Sequence, residues 1–384
     1  MHAWSKLLAL CAAVGVVGCG TMHPPASLSL GPPKQFHTVA IETGNHVLDG
    51  DGLATPGAGQ MQFDAEAMGV FMAEILSAKR AGAMRDGGAK HRIEYGYAIA
   101  PEYERRAREV VAGRRKSMDL RGTCVIVPGI LGRDSASHIV DPLAEAGWAV
   151  VVVWPPLVDR ANESMRASRG RSPRERGAAL GSVVQTAIQD SASVAQFQLV
   201  ALQMRFRELR GKPVLLIGES MGAIAGVGVA ATGAVPYDAA LFIAGGGGFL
   251  EVAEATSLRG LLFGGVPLED DEFAHAFREA CALDPLRAAE ELRGGPVVVV
   301  TAANDGIVPT VTQEALWNAL GCPPRFVWDG GHLDLFGVGR SSLVEVARQV
   351  SEMVGERSRA AEVLFRMEVG SGGGDSQSSQ SETE

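Results

Sequence analysis

The sequence predicts an α/β protein: a mostly parallel sheet with helices on both faces. Three observations carry that expectation. Short, uninterrupted apolar runs recur at Val125-Ile126-Val127, Val214-Leu215-Leu216-Ile217, Ala240-Leu241-Phe242-Ile243 and residues 297–300. Strands covered on both faces read this way, whereas strands with one wet face alternate. Between the runs lie stretches of helical spacing, so strand and helix alternate along the chain. Finally, 46% of the 384 residues are hydrophobic and 21% charged, enough apolar material for one large core.

The elements follow in order. Residues 1–18 join one positive charge, Lys6, to an uncharged run from Leu7, the n-region and h-region of a secretory signal. The run is shorter than the roughly 20 residues a bilayer span needs. It ends Val16-Val17-Gly18-Cys19, which resembles the lipobox of bacterial lipoproteins. That resemblance implies acylation of Cys19 and an exported chain held to a membrane of the bacterial envelope. Residues 19–60, rich in Gly, Pro, Thr and Ser, are expected to be a tether. Residues 61–91 form an accessory helical segment, with Met68, Phe71, Ile75 and Leu76 at helical spacing over 64–82. Ile93, Tyr95 and Tyr97 alternate as a strand, opening a domain over 92–355.

Further along, Ser135 caps a helix expected to reach Ala146, and residues 148–154 read as the next strand. Residues 155–176 hold six arginines and are expected to be a solvated loop; an anion contact is the sharper alternative. A long helical pattern covers 177–209 and a last helix 341–354. Residues 325–328 form the final strand. Residues 246–294, opening with four glycines at 245–248, are a candidate cap insertion over the sheet's carboxyl edge. Residues 356–384 are expected to be a largely disordered tail.

Composition also excludes functions. A net charge of −9 argues against general nucleic-acid binding, which needs a basic face. Five cysteines without a C-x-x-C pair leave no zinc ribbon or redox motif, although Cys281 and Cys322 could pair after export.

The chemistry gathers at Gly218-Glu219-Ser220-Met221-Gly222, a G-x-S-x-G pattern between a buried strand and a small-residue helix. That context suits a nucleophile elbow, a sharp turn presenting the serine hydroxyl at a helix N-terminus. A serine needs a base to take its proton. Only His275 and His332 follow Ser220; His275 falls off the apolar stripe of its helix and reads as solvated. His332 follows the last strand in the loop Asp329-Gly330-Gly331-His332 and is the candidate base. Asp305, at the end of the preceding strand, is the candidate partner for its imidazole, with Asp329, Asp334 and Asp284 as alternatives. Two backbone amides are expected to face an oxyanion: Met221, and Ile130 in Pro128-Gly129-Ile130-Leu131-Gly132, with Leu131 the alternative.

Taken together, Ser220, Asp305 in Asn304-Asp305-Gly306-Ile307-Val308-Pro309 and Gly331-His332 resemble the α/β-hydrolase superfamily, in its serine-esterase branch. The order Ser…Asp…His is that of the superfamily. The resemblance implies an eight-stranded, mostly parallel sheet, no metal or organic cofactor, an acyl-enzyme intermediate and a small-molecule or lipid ester as substrate; the alternatives are a peptidase or thioesterase using the same triad, or a non-catalytic lipoprotein that keeps the scaffold for binding. It departs from the family at Pro128-Gly129, where His-Gly is common. Oligomeric state is not legible in these patterns.

Overall fold

The computed structural model describes residues 20–31, 82–83, 92–98, 120–130, 133–155, 157–256 and 270–371. The signal sequence, Cys19, Leu131, the accessory helix expected before residue 82, the middle of the candidate cap (257–269) and the last residues after 371 lie outside them.

Among the described residues the sheet has nine strands in the order β1-β9-β8-β7-β6-β4-β5-β3-β2. They are β1 (Met22–His23), β2 (Gly82–Ala83), β3 (Arg92–Ala98), β4 (Gly122–Val127), β5 (Trp148–Trp154), β6 (Val214–Glu219), β7 (Ala239–Ile243), β8 (Val297–Ala302) and β9 (Arg325–Trp328). Two of these, β1 and β2, are two-residue additions at the edges. The contiguous run from β5 through β4, β6, β7 and β8 to β9 is parallel. Strand β3 joins β5 antiparallel, and β1 and β2 are antiparallel to β9 and β3. The expected mostly parallel sheet is therefore present, but in place of eight strands the described residues give seven of four to seven residues and a two-residue strand at either edge.

Alternation along each strand feeds two cores. Val125, Val127, Leu216, Phe242 and Val299 pack under α2 (Leu157–Ala167), α3 (Pro173–Arg205), α4 (Met221–Ala231), α7 (Pro285–Leu292) and α8 (Thr310–Ala319). Cys124, Ile126, Leu215, Ile217, Leu241 and Val298 pack on the other face under α1 (Arg133–Glu145) and α10 (Arg340–Ser371). Burial on both faces explains why the strands read as continuous apolar runs.

Four expectations need revision. The arginine-rich stretch is helical rather than a loop, and Arg160 is buried in α2, donating from Nη1 to Asp190 Oδ2 of α3 at 2.7 Å. Helix α3 starts at Pro173, where Ser172 and Glu175 form a reciprocal capping box. Helix α10 runs on to Ser371, because residues 356–369 are rich in Glu, Arg and Ala and contain no proline or glycine. Residues 20–31, read as part of a tether, lie against the domain: Met22, Leu28 and Leu30 pack on the second core. Cys281 is buried and Cys322 exposed, and both are free thiols.

The described parts of the candidate cap are helices α5 (Phe249–Ala255), α6 (Asp271–Ala280) and α7. Phe273 and Phe277 of α6 bury against α3, whose Gly177 and Gly181 let the two backbones meet: a Cβ there would fall 2.1 Å from Phe273 O and 2.5 Å from Phe277 O. These helices thicken the layer over one sheet face.

Candidate active site

The chain winds outward from β4 through α1 to β5, then returns to β6 and winds the other way through α4 to β7. The crevice between the carboxyl ends of β4 and β6 is thus a topological switch point, where open α/β sheets bind ligands. Ser220 follows β6, and Pro128-Gly129-Ile130 follows β4.

The elbow is built as its sequence suggests. Ser220 has φ 54° and ψ −120°, a conformation that L residues avoid, held by its amide donating to Ile243 O at 2.8 Å. The glycines on either side are required by space. A Cβ on Gly218 would meet Ala223 Cα at 2.6 Å, and one on Gly222 would meet Val127 O at 2.0 Å.

The three candidate catalytic side chains meet. Ser220 Oγ lies 2.8 Å from His332 Nε2, and His332 Nδ1 lies 2.7 Å from Asp305 Oδ2. With Nδ1–H donating to the carboxylate, Nε2 is left as acceptor for the serine hydroxyl. All three residues are buried, at 9%, 6% and 6% exposure. In so dry a place the carboxylate needs partners, and it has them: Ile307 and Val308 amides donate to Oδ1 at 2.9 and 2.8 Å.

The alternative carboxylates are engaged elsewhere. Asp334 Oδ2 accepts from Gly331 N at 3.1 Å, capping α9 (His332–Phe336). Asp284 caps α7 through Leu286 N and accepts from Phe249 N. Asp329 accepts from Thr21 Oγ1 at 2.7 Å and pairs with His23 Nε2 at 2.6 Å, contacts that hold its carboxyl below the usual range. His275 sits on the surface of α6 beside Glu279.

Of the two residues expected to supply oxyanion amides, Met221 adjoins the nucleophile and Ile130 follows a glycine packed against it. Met221 is the first residue of α4, so its N–H has no intrahelical acceptor. Gly129 abuts the nucleophile, since a Cβ there would lie 3.2 Å from Ser220 Cβ; Ile130 is the next residue, in a turn.

Three neighbours of the triad were not legible beforehand. Gln313 of α8 is buried, and its amide donates to Asp305 Oδ2 at 2.9 Å and Val308 O at 2.7 Å while its oxygen accepts from Ala302 N at 3.0 Å. It ties the acid to its own strand. Phe336 lies against the His332 ring, with centroids 5.1 Å apart. Glu219, beside the nucleophile, is buried 3.5 Å from His138 Nε2 of α1, and burial pushes its carboxyl up to about 8. A buried glutamine on a helix after the acid loop, and a glutamate closing an apolar strand, are the only traces these leave in sequence.

No protein-family model matches the chain, and neither does any curated protein sequence. Solved structures do match. An acylaminoacyl peptidase from Pyrococcus horikoshii is 14% identical with a TM-score of 0.46, over 71% of this chain and 40% of its own length. Est1E from Butyrivibrio proteoclasticus is 13% identical, TM-score 0.41, over 70% and 98%. The enol-lactonase from Burkholderia xenovorans LB400 is 12% identical, TM-score 0.38, over 67% and 96%. Likeness at this level assigns neither reaction nor substrate, so the chemistry rests on the geometry of Ser220, His332 and Asp305.

Proposed function

We propose that this chain is a serine hydrolase of the α/β-hydrolase type that cleaves carboxylic esters, exported and lipid-anchored through Cys19. The observation that carries the catalytic reading is the unbroken chain Ser220–His332–Asp305, at 2.8 and 2.7 Å, on a strained elbow at the switch point.

In this reading Ser220 Oγ attacks the ester carbonyl carbon while His332 Nε2 takes its proton. Asp305 stabilises the imidazolium through Nδ1–H and keeps the ring in its productive tautomer. The negative oxygen of the tetrahedral intermediate points at the Met221 and Ile130 amides, assisted by the positive end of α4. Collapse expels the alkoxide, which leaves as the alcohol after taking the proton from His332. Water then adds to the acyl-enzyme by the same route and releases the carboxylic acid.

The amide contacts to Asp305 from Ile307 and Val308 support this assignment, because they aim its second oxygen at His332. The substrate is a small-molecule or lipid ester, and no cofactor enters the scheme.

A panel tests the reaction class: esters of increasing acyl length, one thioester and one peptide amide. The expected result is ester hydrolysis that drops on the order of 10⁶-fold in kcat with Ser220→Ala. Faster cleavage of the amide or thioester would reassign the class, and turnover untouched by Ser220→Ala would overturn the site.

A further inference from the structure

The chain enters the described structure beside the active site. Strand β1 is antiparallel to β9, pairing Met22 with Trp328 and His23 with Val327. The residue before β1 is therefore at the carboxyl end of β9, the edge from which the His332 loop departs. Gly20 packs there so closely that a Cβ would meet the Trp328 indole at 2.5 Å and Gly330 N at 3.1 Å. Asp329 N donates to Thr21 O at 3.1 Å, and the Asp329 carboxylate holds Thr21 and His23. Consecutive Cα atoms are about 3.8 Å apart, so anything attached to Cys19 joins the domain at this edge.

The surface of that edge is unusual. Among the described residues four large hydrophobic side chains are exposed, and three belong to the loops and helices that carry the triad. Val311 (70% exposed) is in the first turn of α8, just after the Asp305 loop; Leu333 (38%) follows His332; Val338 (52%) follows α9. Val338 is also tied to the entry point: its neighbour Gly339 lies against the same Trp328 indole as Gly20. Single exposed aliphatics are ordinary, but here three of the four lie on segments that leave the same edge of the sheet, the edge at which Gly20 enters.

We infer that this edge rests on the lipid bilayer: the anchored Cys19 and the apolar rim of Val311, Leu333 and Val338 hold the triad's crevice against the membrane, where it takes esters from the lipid phase. The inference rests on the lipid-anchor reading of Cys19. It makes residues 20–23 a short rigid attachment in place of a long tether.

The test uses the full-length protein, expressed with its signal sequence and reconstituted into phosphatidylethanolamine–phosphatidylglycerol vesicles containing nitroxide-labelled lipid. Val311→Cys, Val338→Cys and, on the opposite edge before β6, Lys212→Cys are each labelled with bimane in a Cys322→Ser background. The buried thiols of Cys124 and Cys281, raised by burial, stay unlabelled. Quenching at 311 and 338 should exceed that at 212 at least about threefold, as for groups at the acyl boundary. Protein that floats with the vesicles and carries the acyl mass on Cys19, yet quenches equally at all three sites, overturns the orientation and leaves the anchor standing. Unmodified Cys19 with no flotation overturns both.

Discussion

Replacing Gln313 by glutamate exchanges an NH₂ for an oxygen in a buried side chain, so shape is kept while a second carboxylate is placed 2.9 Å from Asp305 Oδ2. At an effective dielectric of about 20, two unit charges at that separation repel by about 6 kcal/mol, or about four pKa units. Two carboxylates so close resist ionising together and share one proton. At pH 7 the oxygen facing His332 Nδ1 then shares a single charge with its neighbour. Loss of the acid altogether costs about 10⁴-fold in a serine protease; halving its charge should cost about 10² to 10³-fold in kcat. Part of that loss should return at alkaline pH, when the shared proton leaves. Ester hydrolysis and the rate of fluorophosphonate labelling, each followed from pH 6 to 9.5, read this directly. A Gln313→Glu protein with the wild-type rate and an unchanged pH profile would reduce Gln313 to packing.

Two other perturbations follow from the same geometry. Gly222→Ala places a Cβ 2.0 Å from Val127 O and 2.3 Å from Pro128 O, so the β4 loop must move away from Ser220; labelling should fall at least about 10²-fold, the size of losing one oxyanion donor, or folding should fail. Gly306→Ala, which meets nothing within 4 Å, should leave labelling unchanged, and equal behaviour of the two variants would contradict the steric account. Glu219, raised to about 8, keeps its proton in the folded state after the unfolded chain has lost it near 4.5. Its stabilising contribution is complete below about pH 4.5 and is lost as pH rises through about 8. Glu219→Gln cannot ionise, so its melting temperature should gain on the wild type between pH 5 and pH 9, by a few kcal/mol in stability. A difference constant with pH would show that His138, 3.5 Å away, already compensates the charge.

Much of this site could be read before any coordinates because its demands are local. An elbow needs small residues at Gly218 and Gly222 and a buried strand before them, and all of these are consecutive in sequence. Asp305 and His332 follow strands β8 and β9 directly, so placing the strands places the side chains. Gln313 follows a different logic. It reaches the acid from a neighbouring helix, and one polar residue among the several on that helix looks the same in sequence whether it faces solvent or a carboxylate. The attachment of residues 20–31 was hidden for a similar reason. Its strand is two residues long, and its register is set by the exposed edge of β9 rather than by its own pattern. The arginine-rich stretch misled because charge density suggests a solvated loop, whereas Arg160 is neutralised inside by Asp190 thirty residues on. The geometry also weighs against a hydrolase scaffold kept only for binding, since such a scaffold has no need to hold Ser220, His332 and Asp305 in one hydrogen-bonded line.

The central claim is that Ser220 is an activated nucleophile, and fluorophosphonate labelling of the purified protein with the adduct located by mass spectrometry tests it most directly. A single adduct is expected on Ser220, absent in Ser220→Ala and slowed by orders of magnitude in His332→Ala. Folded protein that takes up no label, or takes it up at another residue, would contradict it.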